Sequence, residues 1–275
     1  MEKVKFGCHN FLNSKPILVP LLAKRFSWLE VVQHSPAKLA QMLKCRTLDI
    51  AFIPSVEYAD DPEYRLVKGV SISSHKKVKT VLLICKKTMN EVKTIAADSR
   101  SRSSIALLQL LLMKRYNRLP LFRPMKPDFT KMLDENDGAL IIGDESFRVK
   151  PTNGLKVYDL SSEWYQLTEK PFVHAVLCTH VNQDQNRKIS QLIDEILVSL
   201  DRSKNSFDHI AINAAKDLGI KSSTCIEYLT NIIKYTFDEP EFDSLKTFFI
   251  LAKQYNVIEN VPDLHFLGNK AGDGK

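Results

Sequence analysis

The residues best suited to chemistry lie in the run Asp98-Ser99-Arg100-Ser101-Arg102-Ser103-Ser104, between the apolar Ile95-Ala96-Ala97 and a leucine-rich stretch over 105–113. The pattern predicts a strand, a polar loop and a helix, with Ser103 and Ser104 where the helix begins. The first amides of a helix have no partner inside it and its dipole places partial positive charge there. With hydroxyls and guanidinium groups beside them, these amides suit a carboxylate or phosphate. The plainer alternative is that one serine caps the helix and both arginines are solvated.

Three other strand ends carry polar residues. Residues 4–8 form a short apolar run leading into His9-Asn10-Phe11-Leu12-Asn13-Ser14-Lys15-Pro16. Residues 48–53 lead into Pro54-Ser55-Val56-Glu57-Tyr58, and 138–142 into Gly143-Asp144. Ligands of open α/β sheets bind beyond the carboxyl ends of strands, so these ends are the expected site. Asn13 can donate and accept hydrogen bonds but cannot act as a general base; its alternative role is to cap the following helix. Asp144, and after it Glu57, are the strand-end carboxylates placed to accept a proton. For Asp144 the competing reading is a turn element beside glycine. His9 could assist a departing hydroxyl or bond locally. His174 and His180 show no ligand spacing, and no zinc or other metal motif occurs.

The elements that must position these groups follow in order. Pro16 suits a first helical turn with Ser14 near the cap, and Ile17, Leu18, Leu21 and Leu22 give an apolar face. A strand over 29–34 and a helix from Pro36 come next. The run 48–53 is continuous and apolar, as in a parallel-sheet strand buried on both faces. Runs 66–73 and 78–85 form either an antiparallel pair or a crossover to another lobe, with Thr80 near the joint. Strands are expected over 119–123, 138–144, 157–160 and 171–178, and short helices over 129–133 and 162–167. After residue 182 the pattern is helical: 187–200, 207–218, 224–235 and 243–255. The polar, glycine-bearing tail 268–275 is expected to fray.

This order predicts an α/β, two-lobed, periplasmic-binding-protein-like (type II) fold with a helical C-terminal third. Lobe 1 is discontinuous, over 1–85 and 175–275, and lobe 2 covers 86–174. Fold alone does not give function.

Hydrophobic content of 44% with 26% charged residues is that of a globular chain. No apolar signal region or membrane-length run occurs, so a cytoplasmic location and no membrane partner are expected. Five widely spaced cysteines without a C-x-x-C argue for reduced thiols. The net charge of +7 favours anionic partners. The basic residues are scattered, with no nucleic-acid motif, so no nucleic-acid partner is expected. A homodimer stays open.

Six segments together resemble the chorismate dehydratases of the futalosine route to menaquinone. They are Asn13-Ser14-Lys15-Pro16, 48–58, Val78-Lys79-Thr80-Val81-Leu82-Leu83, 98–104, Ile142-Gly143-Asp144, and Glu163-Trp164-Tyr165 through Pro171-Phe172-Val173. The resemblance implies a two-lobed fold, no cofactor, and conversion of chorismate to 3-(1-carboxyvinyloxy)benzoate and water. Chorismate carries two carboxylates. Loss of its C3 proton and C4 hydroxyl makes the ring aromatic, and the developing charge spreads into the ring carboxylate. Ser103, Ser104 and the helix amides would hold that carboxylate, with Arg102 as charge partner. Thr80 and Ser55 would hold the second carboxylate or the hydroxyl, and Ser14 and Gly143 complete the substrate-binding set. By resemblance Asn13 contacts the reacting part of the substrate, and the enolpyruvyl carboxylate removes the proton itself; Asp144 is the competing acceptor. His75-Lys76-Lys77-Val78-Lys79-Thr80 departs from the family, which has a glycine-containing turn and a serine there. The alternatives are a futalosine-pathway enzyme acting on a dehypoxanthine futalosine derivative, which calls for a cleft histidine, and a non-catalytic small-anion binding protein.

Overall fold

A computed structural model describes residues 3–150, 154–183, 185–202 and 207–268. Within the expected tail, 269–275 lies outside the described residues, as does 203–206 of the turn before the second late helix.

The first lobe is built on a six-stranded sheet. Strand β1 (Val4–Gly7) pairs in parallel with β2 (Leu29–Val32) and β3 (Ile50–Pro54), and helices α1 (Lys15–Lys24) and α2 (Pro36–Lys44) connect them. Long β4 (Tyr64–Ser74) follows. The strand order is β11-β4-β10-β3-β1-β2, where β10 is Phe172–His180 and β11 is Ile233–Lys234. All five residues of β3 are buried, as its unbroken apolar run requires of a central strand. Pro16 lies in the first turn of α1 and Ser14 is its N-cap.

The second lobe holds β5 (Val81–Cys85), β6 (Thr94–Asp98), β7 (Leu121–Met125), β8 (Gly138–Ile142) and β9 (Lys156–Asp159), in the order β7-β6-β8-β5-β9. Helices α3 (Ser103–Tyr116), α4 (Phe129–Glu135) and α5 (Leu160–Thr168) accompany them. Pro124 is tolerated in β7 because that strand is at the sheet edge. Leucines 107, 108, 110, 111 and 112 of α3 are all buried, so the helix is apolar all round and packs on both lobes, against α5 and against β10.

Of the two readings of runs 66–73 and 78–85 the crossover holds: β4 and β5 lie in different sheets, so the chain crosses over within 75–80, and it returns through 160–171. Two other expectations are corrected. Residues 81–85 therefore belong with the second sheet rather than with lobe 1, and 172–174 with the first rather than with lobe 2. The physical reason is the Asp159 carboxylate, which accepts the amides of Val78 (3.0 Å) and Lys79 (2.7 Å) and fixes the crossover ahead of β5. Nor is 224–235 one helix. It divides into α8 (Ser222–Glu227), a π turn over Tyr228–Ile232 and β11. Strand β11 pairs with Ser73 and Ser74, and the Ser71 amide donates to Tyr235 O, so the edge of β4 draws this chain out of helix. Helices α6 (Arg187–Arg202), α7 (Phe207–Leu218) and α9 (Glu239–Gln254) complete the helical third.

One continuous core runs through both lobes, from Phe6 and Phe52 to Leu83, Leu108 and Leu140. No helix among the described residues is long and apolar enough to cross a membrane. The five cysteines are free, and Cys45 is the exposed one.

Candidate functional site

The four polar strand ends meet. His9, Phe11 and Asn13 beyond β1, Pro54 at the end of β3, the loop 100–104 beyond β6, and Ile142 and Gly143 at the end of β8 line one cavity. Thr80 from the crossover and His174 on β10 line it as well.

Asn13 lies in the 3₁₀ turn Leu12–Ser14 that precedes α1. It does not cap that helix: the N-cap is Ser14, without a side-chain cap bond. The Tyr228 hydroxyl lies 2.8 Å from Thr80 Oγ1 at the crossover, and the Tyr235 hydroxyl donates to Asn13 O at 2.8 Å, so two phenols of one segment hold the crossover and the first strand end. Asn13 Oδ1 is buried with no partner among the described residues, an acceptor waiting for a donor.

At α3 neither serine caps the helix. The N-cap is Arg102, which makes no side-chain cap bond, and the first intrahelical bond runs from Ala106 N to Arg102 O. The amides of Ser103, Ser104 and Ile105 are therefore the helix's unpaired donors. Ser103 Oγ accepts from Val56 N at 3.2 Å and lies 3.1 Å from Ser55 Oγ, which itself donates to Val173 O at 2.7 Å. Because the Ser55 hydrogen is committed to Val173, Ser103 is the donor in the pair. Its hydroxyl thus holds the second lobe to the first, and what it offers the cavity is its amide.

The two arginines differ. Arg100 is locked on fully buried Asp98 through Nη2 (2.7 Å) and Nε (3.0 Å), with its guanidinium 5.3 Å from the Phe11 ring centre, so its charge is largely neutralised. Arg102 makes only a 3.4 Å contact to Glu57 and is 56% exposed, free to turn toward an anion. Burial, with Asp60 beside it, pushes the Glu57 carboxyl up.

Of the expected site residues, Asn13, Thr80, Arg102, Ser103, Ser104 and Gly143 line the cavity, and Ser14, Ser55 and Asp144 do not. Ser14 is fully buried behind it, 2.9 Å from His9 Nδ1. Ser55 stands behind Ser103. Asp144 Oδ1 accepts the Leu12 amide at 2.9 Å, across the lobes, and although burial raises its pKa it faces the chain rather than the cavity. The glycine-bearing end of β8 is thus a clasp, with the cavity wall supplied by Gly143. That glycine has φ +66°, and a Cβ there would lie 3.1 Å from Phe11 ring carbons.

Arg100, Ser101, His174 and Tyr228 escaped the sequence reading as site residues. Arg100 and Ser101 lay in the stretch singled out, but which arginine would be neutralised depends on the burial of Asp98. Tyr228 comes from a segment 148 residues away from Thr80, with no local signal. His174 occupies a β10 position that reads as ordinary strand. Both cavity histidines are held neutral by burial, His9 pushed down to about 4 and His174 to about 3. No group of three potential metal ligands occurs among the described residues.

Comparison with known proteins gives a consistent picture. A family profile described as menaquinone biosynthesis matches residues 4–254. A chorismate dehydratase of Thermus thermophilus is 25% identical over 270 residues, covering 90% of this chain and 94% of that protein. One of Campylobacter jejuni is 26% identical over 259 residues, covering 92% and 99%. Among solved structures, a Candida albicans protein described as having the generic periplasmic binding protein fold superposes with a TM-score of 0.65 at 13% identity, over 99% of each chain. The architecture is that two-lobed α/β fold.

Proposed function

The chain belongs to the menaquinone-biosynthesis family, and we propose that within it the protein is a chorismate dehydratase, a carbon–oxygen lyase that eliminates water from chorismate to give 3-(1-carboxyvinyloxy)benzoate. The observation that carries this reading is the meeting of Asn13, Thr80 and the α3 N-terminus in one cavity.

The ring carboxylate is placed on the amides of Ser103, Ser104 and Ile105, with the Ser104 hydroxyl beside them and Arg102 turning in as charge partner. As the C3 proton leaves, charge spreads into that carboxylate. Donors already aimed there bind the transition state more tightly than the ground state. The unpartnered Asn13 Oδ1 accepts from the C4 hydroxyl and orients it for departure, with the Asn13 backbone held by the Tyr235 hydroxyl. Thr80 serves the second carboxylate. The family resemblance assigns the proton to the substrate's own enolpyruvyl carboxylate; Asp144, bonded to Leu12, is left as a clasp between the lobes.

A second reading has one observation in its favour. Two histidines, His9 and His174, line the cavity, and an enzyme of the same route acting on a dehypoxanthine futalosine derivative would use one. Purified protein offered chorismate, the dehypoxanthine futalosine derivative, or neither separates the cases. Loss of the chorismate diene absorbance with a product lighter by one water supports the dehydratase. Turnover of the futalosine derivative alone supports the second reading, and binding without turnover supports an anion-binding protein.

A further inference from the structure

Tyr228 is buried and does not line the cavity, yet its hydroxyl lies 2.8 Å from Oγ1 of Thr80, which does. It opens the π turn Tyr228–Ile232, and that turn packs on the 3₁₀ turn carrying Asn13. Isolated π turns within helical segments recur at functional sites. The Tyr228 ring stands edge-on to Phe147, centroids 5.2 Å apart, so a residue of the second lobe fixes its plane. A buried phenol has one hydrogen and must place it on an acceptor. Asn13 Oδ1 is without a partner, so the hydrogen is not given there, and Thr80 Oγ1 receives it. Burial raises the Tyr228 pKa well above the usual tyrosine value, so that hydrogen is present at any working pH. Thr80's own hydrogen has a poor acceptor in Val78 O, at 3.5 Å, and is available to a ligand in the cavity.

We infer that Tyr228 is a positioning residue for the elimination: its hydroxyl, bonded to Thr80 Oγ1, aims the Thr80 hydroxyl at the second carboxylate of the substrate. This role rests on the dehydratase reading, in which Thr80 serves the enolpyruvyl carboxylate and that carboxylate takes the C3 proton. A carboxylate acting as base must approach the C–H bond within a narrow range of distance and angle, so the hydroxyl that holds it has to be fixed before the substrate arrives. Threonine is stiff at χ1, and the bond to the phenol selects which staggered position its hydroxyl occupies. Donation into Oγ1 also polarises the Thr80 hydroxyl and makes it the better donor to an anion. The helical third thereby reaches the reacting end of the substrate without touching it.

The test is a double-mutant cycle of wild type, Tyr228→Phe, Thr80→Val and the double variant, with thermal unfolding to show that each folds. Product formation gives kcat, and calorimetry gives chorismate affinity. If Tyr228 acts by aiming Thr80, Tyr228→Phe lowers kcat by about 10-fold or more while affinity changes by less than about threefold. The same substitution made together with Thr80→Val then lowers kcat no further than Thr80→Val alone. Thr80→Ser, which keeps the hydroxyl and its bond to the phenol, stays near the wild-type rate and loses it when Tyr228→Phe is added. Wild-type-like kcat in Tyr228→Phe overturns the proposal. An equal loss from Tyr228→Phe with and without Thr80→Val makes Tyr228 a packing residue that acts independently of Thr80, and equally overturns it. Wild-type kcat in Thr80→Val removes Thr80 from the reaction and the proposal with it. A wild type that leaves chorismate untouched is a failure of the dehydratase reading itself, visible before any variant is measured, and takes the proposal down as well.

Discussion

Asn13 holds a buried carboxamide oxygen without a partner, and a buried acceptor left open costs stability unless function supplies its donor. Replacing Asn13 with Ala removes that cost and the hydroxyl contact together. The variant is expected to fold with unchanged or slightly raised stability and to lose about 100-fold or more in kcat, as when one preorganised contact to developing charge is removed. Asp144→Asn keeps an oxygen for the Leu12 amide and should turn over chorismate at near the wild-type rate; product formation by the two variants measured side by side checks both. Burial of the histidines also sets a pH dependence. His9 is pushed down to about 4 in the folded chain, against about 6.5 in an unfolded one. Between those values the unfolded state binds the proton more readily, so the His9 contribution is intact above pH 6.5 and is lost as pH falls toward 4, by about 1.4 kcal/mol per pH unit. Urea midpoints of the wild type and His9→Gln should converge on acidification over that window, whereas a difference that does not change with pH would contradict the assignment. At this scale the sequence was legible wherever a residue's position at a strand end decided its exposure to the cavity, as for Asn13 and Ser104. It was silent where a distant partner decided, as with Asp144 on Leu12 or Tyr228 beside Thr80.

Elements place these residues through a few tight approaches. Gly143 combines φ +66° with a Cβ position 3.1 Å from Phe11, whose ring packs beside His9 at 5.0 Å and under Arg100 at 5.3 Å. Gly143→Ala incurs the left-handed backbone penalty of about 1–2 kcal/mol and pushes Phe11 toward the cavity. It is expected to lower the unfolding free energy by that amount and to weaken chorismate binding, with wild-type affinity the contrary result. Strand and helix positions were readable where periodicity and local chemistry agreed, as in β3 with its five buried residues or in α1 with Pro16 in its first turn. They were unreadable where tertiary hydrogen bonding overrode periodicity. The stretch 224–235 has a helical pattern, yet the open edge of β4 converts its end into β11. The crossover at 75–80 had no marker of its own, because Lys79 turns the chain at φ +63° where a glycine would have announced the turn. An Asp159 carboxylate 80 residues away holds the Lys79 amide in that conformation.

As a whole, the molecule is two sheets joined through one main core, with a second cluster of Ile84, Ala96, Met132 and Ile141 on the other face of the second sheet, and with their polar strand ends aimed at each other. The two-lobed plan was visible in the order of strands and helices, and its boundaries were displaced by a few residues because the clasping contacts lie between segments far apart in sequence. Asp144 to Leu12 and Ser103 to Ser55 and Val56 tie one lobe to the other around the cavity. A dicarboxylate enclosed there has its ring carboxylate on α3, its reacting edge toward Asn13, and its second carboxylate toward Thr80. A crystal structure with 3-(1-carboxyvinyloxy)benzoate bound tests that arrangement most directly. The ring carboxylate is expected within hydrogen-bond distance of the Ser103 and Ser104 amides, with Asn13 beside the carbon that carried the hydroxyl. Product bound outside this cavity, or with its ring carboxylate away from α3, would contradict it.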